Sequence, residues 1–414
     1  LSVAVRVASA RGERLALFAA AGGYFCLLCG YYMLRPIREA MALEVGRASF
    51  PNLFGTVFLL SIVVLPLYWW QVARVSRRWL LTLVYVPFAA IFLTLALAWT
   101  RSPGDRNVAM VYFVAFSSTN LLVISLFWSS MADVWRPDAS KRLYGFVAAG
   151  GSLGAIIGPF FVGRFVTQLG IAPFIVVACS LLAGTILLVG YARSVLAVAA
   201  PVAVPSSDQR VGGRAIDDIR RFVRSPYLLG IAAVVVAGQV IGGFMYAEQA
   251  RYVEQAYSSV EERAALFSRL ESFVNILALI FQAGVVWWLS GRKGLRFALP
   301  ALPILLGVSL IVLAVFPAGA VLLVTQVIRR AADYGLGKPL REMLFTVLNP
   351  ESKFKTKSLI DTVLQRGSDG AAQQAYPLIA GIGVTQVAIV CAVICAILLP
   401  VTRLLGTAFE RDAK

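Results

Sequence analysis

Long apolar runs alternate along this chain with short polar or Gly/Pro breaks. A helix needs about 20 mostly apolar residues to cross the hydrocarbon core of a bilayer, and twelve runs qualify. Their cores lie near 15–34, 50–72, 79–99, 108–132, 144–163, 171–192, 227–246, 268–289, 297–316, 318–346, 358–381 and 384–402. The expectation is an all-α polytopic membrane protein of twelve transmembrane helices. One break is long. It carries Pro201, Pro205, Ser206 and Ser207, then a charged stretch whose Ile216, Ile219, Phe222 and Val223 suit a short amphipathic helix lying along the membrane. It divides the chain into an N-terminal half (1–192), a cytoplasmic central loop (193–226) and a C-terminal half (227–414), with six spans on each side.

An internal echo supports the division. Trp69, Trp70, Arg74 and Arg78 recur at the same spacing as Trp287, Trp288, Arg292 and Arg296, each set closing the second span of its half. Pro137, Asp138 and Lys141 after span four are echoed more loosely by Pro350, Glu351 and Lys353 after span ten. Interfacial Trp and cytoplasmic Arg arising independently would give a similar pattern. Two parallel six-span halves resemble the plan of the major facilitator superfamily.

Composition agrees with the hydropathy pattern. Hydrophobic residues make up 59% and charged ones 14% of the chain, with a mean hydropathy of +0.79, against about 45–50% apolar in ordinary soluble domains. The Lys and Arg positions orient it. Arg6, Arg11 and Arg14, then Arg74, Arg77 and Arg78, then Arg136, Lys141 and Arg142, and later Arg292, Lys293 and Arg296 fall on one side. Both termini are therefore expected in the cytoplasm. The net charge of +17 is mostly this bias, and nucleic acid is not an expected partner because the basic residues are set in apolar sequence. The arginine-bearing start of the chain leads into an apolar run longer than that of a cleavable signal, so it reads as a retained first span.

Histidine is absent. That removes His metal sites, Ser-His triads and histidine proton relays. Cys26, Cys29, Cys179, Cys391 and Cys395 all fall within apolar runs, where cysteine acts as a small hydrophobe. No metal or cofactor is expected, and the chain does not read as an enzyme.

The polar residues that remain are concentrated. Between Arg329 and Asp369 stand Arg330, Asp333, Lys338, Arg341, Glu342, Lys353, Lys355, Lys357, Asp361 and Arg366. A charge at the bilayer centre costs roughly 2.5–3.5 kcal/mol on insertion scales, so such residues usually face a polar cavity or a partner. Arg35, Pro36, Arg38 and Glu39 sit where span one is expected to end or kink. Pro36 could turn the cations toward a cavity, or they could snorkel to the far interface. Asp133, at the end of span four, suits a cavity carboxylate, a gate or a helix cap. Glu248, at the end of span seven, suits an ion-pair gate with Arg35 or Arg38, or an exposed loop charge. In span five Gly150, Gly154 and Gly158 share one helix face and permit close packing. Gly145, Gly154, Gly158 and Pro159 also resemble the span-five antiporter motif of the major facilitator superfamily.

These residues carry a further resemblance. Leu34-Arg35-Pro36-Ile37-Arg38-Glu39, Phe127-Trp128 through Asp133, Lys141-Arg142-Leu143-Tyr144-Gly145, Glu248, Arg341-Glu342-Met343, and Lys353-x-Lys355-x-Lys357 through Ile360-Asp361 to Arg366 resemble the ATP/ADP translocases of plastids and obligate intracellular bacteria. The resemblance covers about a quarter of the chain. It implies a twelve-span nucleotide antiporter in which Arg38, Asp133, Glu248 and Arg341, with Lys357 as the alternative to Arg341, matter for transport. Arg38 stands where that family commonly has Lys, and Pro36 replaces a polar residue; Arg and Lys differ in geometry at phosphate sites. The expected substrate-binding residues are Arg35, Arg38, Asp133, Glu248, Arg329, Arg330, Arg341, Lys357, Asp361 and Arg366. Tyr31, Tyr32 or Tyr334 would stack on a planar group. The expected function is exchange of nucleotides or a related phosphorylated organic anion by a monomer. The alternative is a proton-coupled carrier or an exporter of another organic anion or metabolite, with Glu39, Asp133, Glu248, Asp333 and Asp361 as proton sites.

Overall fold

The computed structural model describes residues 2–75, 77–132, 137–199, 222, 224–286, 294–347, 360, 364–379, 381 and 383–412. The first helix, α1 (Ser2–Val45), runs through Pro36 without a break. Of the two expectations for Pro36, an end to the helix does not occur; a proline costs a long helix one hydrogen bond and some crowding, and the burial of Ile37, Ala40, Met41 and Ala42 on the far side holds the last turns in place. Gly46, at φ +91°, ends it in the left-handed conformation that glycine adopts without a Cβ penalty.

There follow α2 (Phe50–Arg74), α3 (Arg77–Arg101), α4 (Arg106–Ala132), α5 (Pro137–Leu169), α6 (Ala172–Ala199), α7 (Pro226–Ala256) and α8 (Val260–Ile280), which continues into a π-helical turn at Phe281–Val286. Next come α9 (Leu295–Val315), α10 (Gly319–Ala332), a second π-turn at Asp333–Gly337, α11 (Lys338–Leu344), α12 (Gln365–Ile379) and α13 (Val384–Asp412). Among the described residues, ten helices are long and apolar enough to cross a membrane. The two predicted spans that fall short are 318–346 and 358–381. The first is interrupted at Asp333–Gly337 and carries Arg329, Arg330, Lys338 and Arg341. Of the second, only Ile360 and Leu364 onward are described, and that part includes Gln365, Arg366, Asp369, Gln373 and Gln374.

The chain divides into two compact units. One contains Leu1–Ser49, Thr56–Ser207 and Tyr257–Ser272; the other contains Phe50–Gly55, Asp208–Ala256 and Phe273–Lys414. In the first unit α1 is central and packs on α4, α5 and α6. Its contact with α5 depends on glycine. A methyl group at Gly150, Gly154 or Gly158 would collide with the carbonyl oxygen of Ala21, Phe25 or Cys29 respectively, so the backbones touch at every fourth residue of both helices. Buried Tyr85 and Tyr112 give their hydroxyls to the carbonyls of Val123 and Leu34 at 2.7 and 3.1 Å, which removes the cost of an unpaired polar group. In the second unit α9 packs along α13, and α7 packs on α12 and α13, around a core that includes Met245, Ala298, Leu310, Leu313, Phe345 and Cys391. The outward faces of both units carry exposed Leu59, Val63, Phe160, Leu187, Ile304, Val308, Ile397 and Leu404. In water such surfaces would associate; lipid tails solvate them.

The central loop and its expected amphipathic helix lie almost wholly outside the described residues. So do Trp287, Trp288 and Arg292 of the internal echo, and Pro350, Glu351 and Lys353 of the looser one.

Candidate functional site

Two groups of charged side chains stand out, one in each unit. In the first unit Arg35 and Arg38 project from α1 three residues apart, hence from one helix face. Arg35 Nη1 donates to Glu271 Oε1 of α8 at 3.0 Å, and its guanidinium lies 5.7 Å from the Tyr32 ring. Arg38 donates to the Ser117 hydroxyl at 3.2 Å, pairs with the Glu39 carboxylate, and lies 5.0 Å from the Phe113 ring of α4. Tyr31 stacks on Phe116 at 5.0 Å and meets Tyr32 edge-on at 5.2 Å. The cations are thus held by carboxylates and ring faces, which offset the cost of placing them in an apolar helix.

Glu248 and Arg35, expected to meet in an ion-pair gate, each have an ionic partner within their own unit. Arg35 is paired with Glu271, a residue the sequence reading passed over. Glu248, 1% exposed, is engaged within the second unit by Arg251 one turn on and by the Tyr376 hydroxyl of α12 at 2.8 Å. Both partners lie within reach of a short carboxylate stem. This also excludes the reading of Glu248 as an exposed loop charge.

The second group lines a cleft within the second unit, with a cavity of about 90 Å³. Arg329, Asp333, Lys338 and Arg341 line one side, with Gln239 of α7, Gln365 of α12 and Thr402 of α13. The π-turn at Asp333–Gly337 sets these positions: inserting one residue per turn rotates Lys338 and Arg341 relative to Arg329. The turn packs on the π-turn of α8, where Gln282 Nε2 donates to the Tyr334 carbonyl at 3.1 Å. Gly335 has no room for a side chain, since a Cβ there would stand 2.6 Å from that of Phe281 and 2.8 Å from the carbonyl of Ala278. Lys338 is held over the Tyr334 ring, its ammonium 4.4 Å from the centroid.

Arg329 is held by a network of amides. Its Nε donates to Gln326 Oε1 at 2.7 Å. The Gln326 amide in turn donates to Gln249 Oε1 at 2.8 Å and to the Met245 carbonyl at 2.9 Å, so every polar atom of this buried carboxamide is used. The guanidinium passes over Gly242, where a Cβ would lie 3.1 Å from Nη1. The result is a fixed cation on the cleft wall, aimed by neutral amides that carry no charge signal in the sequence.

Of the expected substrate-binding residues, then, Arg329 and Arg341 share one cleft, Arg35 and Arg38 share one helix face in the other unit, and Glu248 is tied to α12. Arg330 and Arg366 are half-buried on α10 and α12 without lining the cleft. Asp133, Lys357 and Asp361 lie outside the described residues. Glu271, Gln326, Gln249 and Gln239 were missed. Its place as the one carboxylate of the apolar run 268–289 was a usable signal for Glu271; the glutamines gave none.

Residues 20–337 match the family model described as Major Facilitator Superfamily. No curated protein matches the chain significantly by sequence. Among solved structures it is similar to a bacterial homologue of the human lysosomal transporter Spinster in an inward-facing, unoccupied conformation, with 14% identity over 97% of this chain and 98% of that one and a TM-score of 0.59. It is also similar to the nucleoside transporter NupG (14%, 97% and 99%, TM-score 0.63) and to a POT family transporter in complex with a thioalcohol-conjugated peptide (12%, 96% and 96%, TM-score 0.65). At these identities the likeness is one of fold.

Proposed function

Because this chain belongs to the major facilitator superfamily and is a membrane transporter, we propose that it exchanges phosphorylated organic anions across the membrane, nucleotides being the class named by its sequence resemblance. The observation that carries the reading is the cleft in which Arg329, Lys338 and Arg341 stand together, with Arg329 oriented by Gln326. Guanidinium groups give bidentate, charge-assisted hydrogen bonds to phosphate oxygens. An empty cleft with several cations is costly to occlude in a low-dielectric bundle, and a bound anion offsets that cost. Exchange follows, because the protein crosses its occluded state more readily loaded than empty. The six-span halves at 1–192 and 227–414 move as alternating bodies, with the loop 193–226 and both termini in the cytoplasm of a bacterial cell and a monomer as the working unit.

The test is uptake of labelled ATP into proteoliposomes loaded with ADP, with inorganic phosphate, or with buffer, for the wild type and for Arg38→Ala and Arg329→Gln. Uptake that requires an internal phosphorylated anion and is lost in Arg329→Gln supports the reading. Uptake without any internal anion removes the exchange step.

A second reading, proton-coupled transport of an organic anion, is favoured by Glu248, a buried carboxylate held by a phenol and an arginine. Under that reading uptake collapses when the pH gradient is dissipated, and Glu248→Gln transports without responding to it.

A further inference from the structure

The cleft of the second unit has an unlike lining. Arg329, Lys338 and Arg341, with Asp333, supply its charge. Aliphatic side chains supply much of the rest: Leu299, Leu302 and Leu306 on α9, and Ile231, Val234 and Val235 on α7. Leu299, Leu302 and Leu306 recur at helical spacing on one face of α9. Leu302 reaches the charged side, its Cδ2 lying 3.2 Å from where a Cβ on Gly337 would stand, so the hydrocarbon wall begins immediately beside the π-turn. Among the described residues lining the cleft none is aromatic. Tyr334, whose ring carries Lys338, is not among them. A nucleobase entering here would find no ring to stack on, whereas an alkyl chain would find continuous aliphatic surface.

The charge of the lining narrows the class. Three cations against the single carboxylate of Asp333 leave an excess of two positive charges. A phosphate monoester carries about −1.5 to −2 at neutral pH, which matches it. A nucleoside triphosphate would leave negative charge over among side chains that are otherwise neutral.

We propose that this cleft takes a phosphate monoester with an aliphatic body, its phosphate on Arg329 and its chain along Leu302 and Leu306. The inference rests on the anion-carrier reading above and narrows it. Arg329 supplies the bidentate contact because its guanidinium is already oriented; Lys338 and Arg341 supply charge from the next turn of the same span. The aliphatic wall sets specificity by rewarding each methylene removed from water.

The experiment is a calorimetric titration of the full chain in lipid nanodiscs with butyl, hexyl and octyl phosphate, inorganic phosphate and ADP, corrected with protein-free nanodiscs. The expected result is affinity that rises roughly three- to fourfold per methylene, with ADP weaker than hexyl phosphate. Leu302→Asn, or Leu306→Thr should the first variant not fold, flattens the chain-length dependence and lowers the affinity for hexyl phosphate far more than that for inorganic phosphate. Arg329→Gln weakens the whole series without altering its slope. Hexadecyl phosphate placed in the nanodisc bilayer shows the source of the ligand: displacement of hexyl phosphate marks a ligand drawn from the membrane, and lack of displacement one drawn from water. ADP binding tighter than hexyl phosphate with no chain-length dependence overturns the inference and leaves the exchange of phosphorylated anions standing. Absence of binding by every phosphate compound overturns both.

Discussion

Arg35 of α1 and Glu271 of α8 form an ion pair at 3.0 Å, and nine residues along α1 and eight back along α8 a second pair, Glu44 with Arg263 at 3.5 Å, joins the same two helices. The order of charges reverses between the pairs, so an antiparallel alignment in this register satisfies both. Glu271→Gln leaves the half-buried Arg35 without its carboxylate. Breaking a buried pair from one side costs about 3–5 kcal/mol, and the residual exposure of Arg35 puts this case toward the lower end. The expected outcome is that Glu271→Gln lowers the melting temperature of the purified protein more than the double variant R35Q/E271Q does. If single and double variants melt alike, the pair is not coupled.

Gln326→Leu should leave the fold intact and loosen Arg329. The change removes an acceptor from a guanidinium and a donor from Gln249, and hydrogen bonds to charged groups are worth about 1.5–3 kcal/mol. The apparent affinity for the transported anion should fall about tenfold or more, with a smaller change in maximal rate. Equal affinity in variant and wild type would show that Arg329 needs no orientation.

Two glycines of α5 should behave in opposite ways. Gly154→Val drives a branched side chain into the Phe25 carbonyl and should abolish stable expression, overpacking costs being typically about 1–3 kcal/mol and higher against backbone. Gly145 has nothing near its missing Cβ, so Gly145→Ala should be tolerated and can stabilise by up to about 1 kcal/mol through helix propensity. Thermal melts of the two variants check both.

The architecture was largely readable in the sequence because lipid solvation enforces long apolar runs, and because close helix packing writes itself as glycines at four-residue spacing. The site was readable in part. Arg329 and Arg341 announced themselves as charges in an apolar context. Their convergence depends on a π-turn, which no periodicity at 3.6 residues would reveal, and the aim of Arg329 depends on glutamines that look like any other neutral polar residue. Pro36 misled in the other direction: local propensity ends a helix there, but the burial of Ile37, Ala40 and Met41 outweighs it.

Gly335→Ala tests the π-turn itself. The added methyl meets Phe281 and the Ala278 carbonyl, so the turn must shift away from α8 and carry Asp333 and Lys338 with it. The expected result is a tenfold or larger rise in the KM for the transported anion, with correctly inserted protein by gel filtration. Gln282→Ala, which deletes only the hydrogen bond to the Tyr334 carbonyl, should produce a milder shift in the same direction, of about 0.5–1.5 kcal/mol.

At Gly150, Gly154 and Gly158 the contact of α5 with α1 is backbone against backbone, with no rotamer to flip at those crossings. Such a joint has no second setting. Helices α1 and α5 are in effect a single girder, and a carrier built on one must take up the strain of its cycle elsewhere.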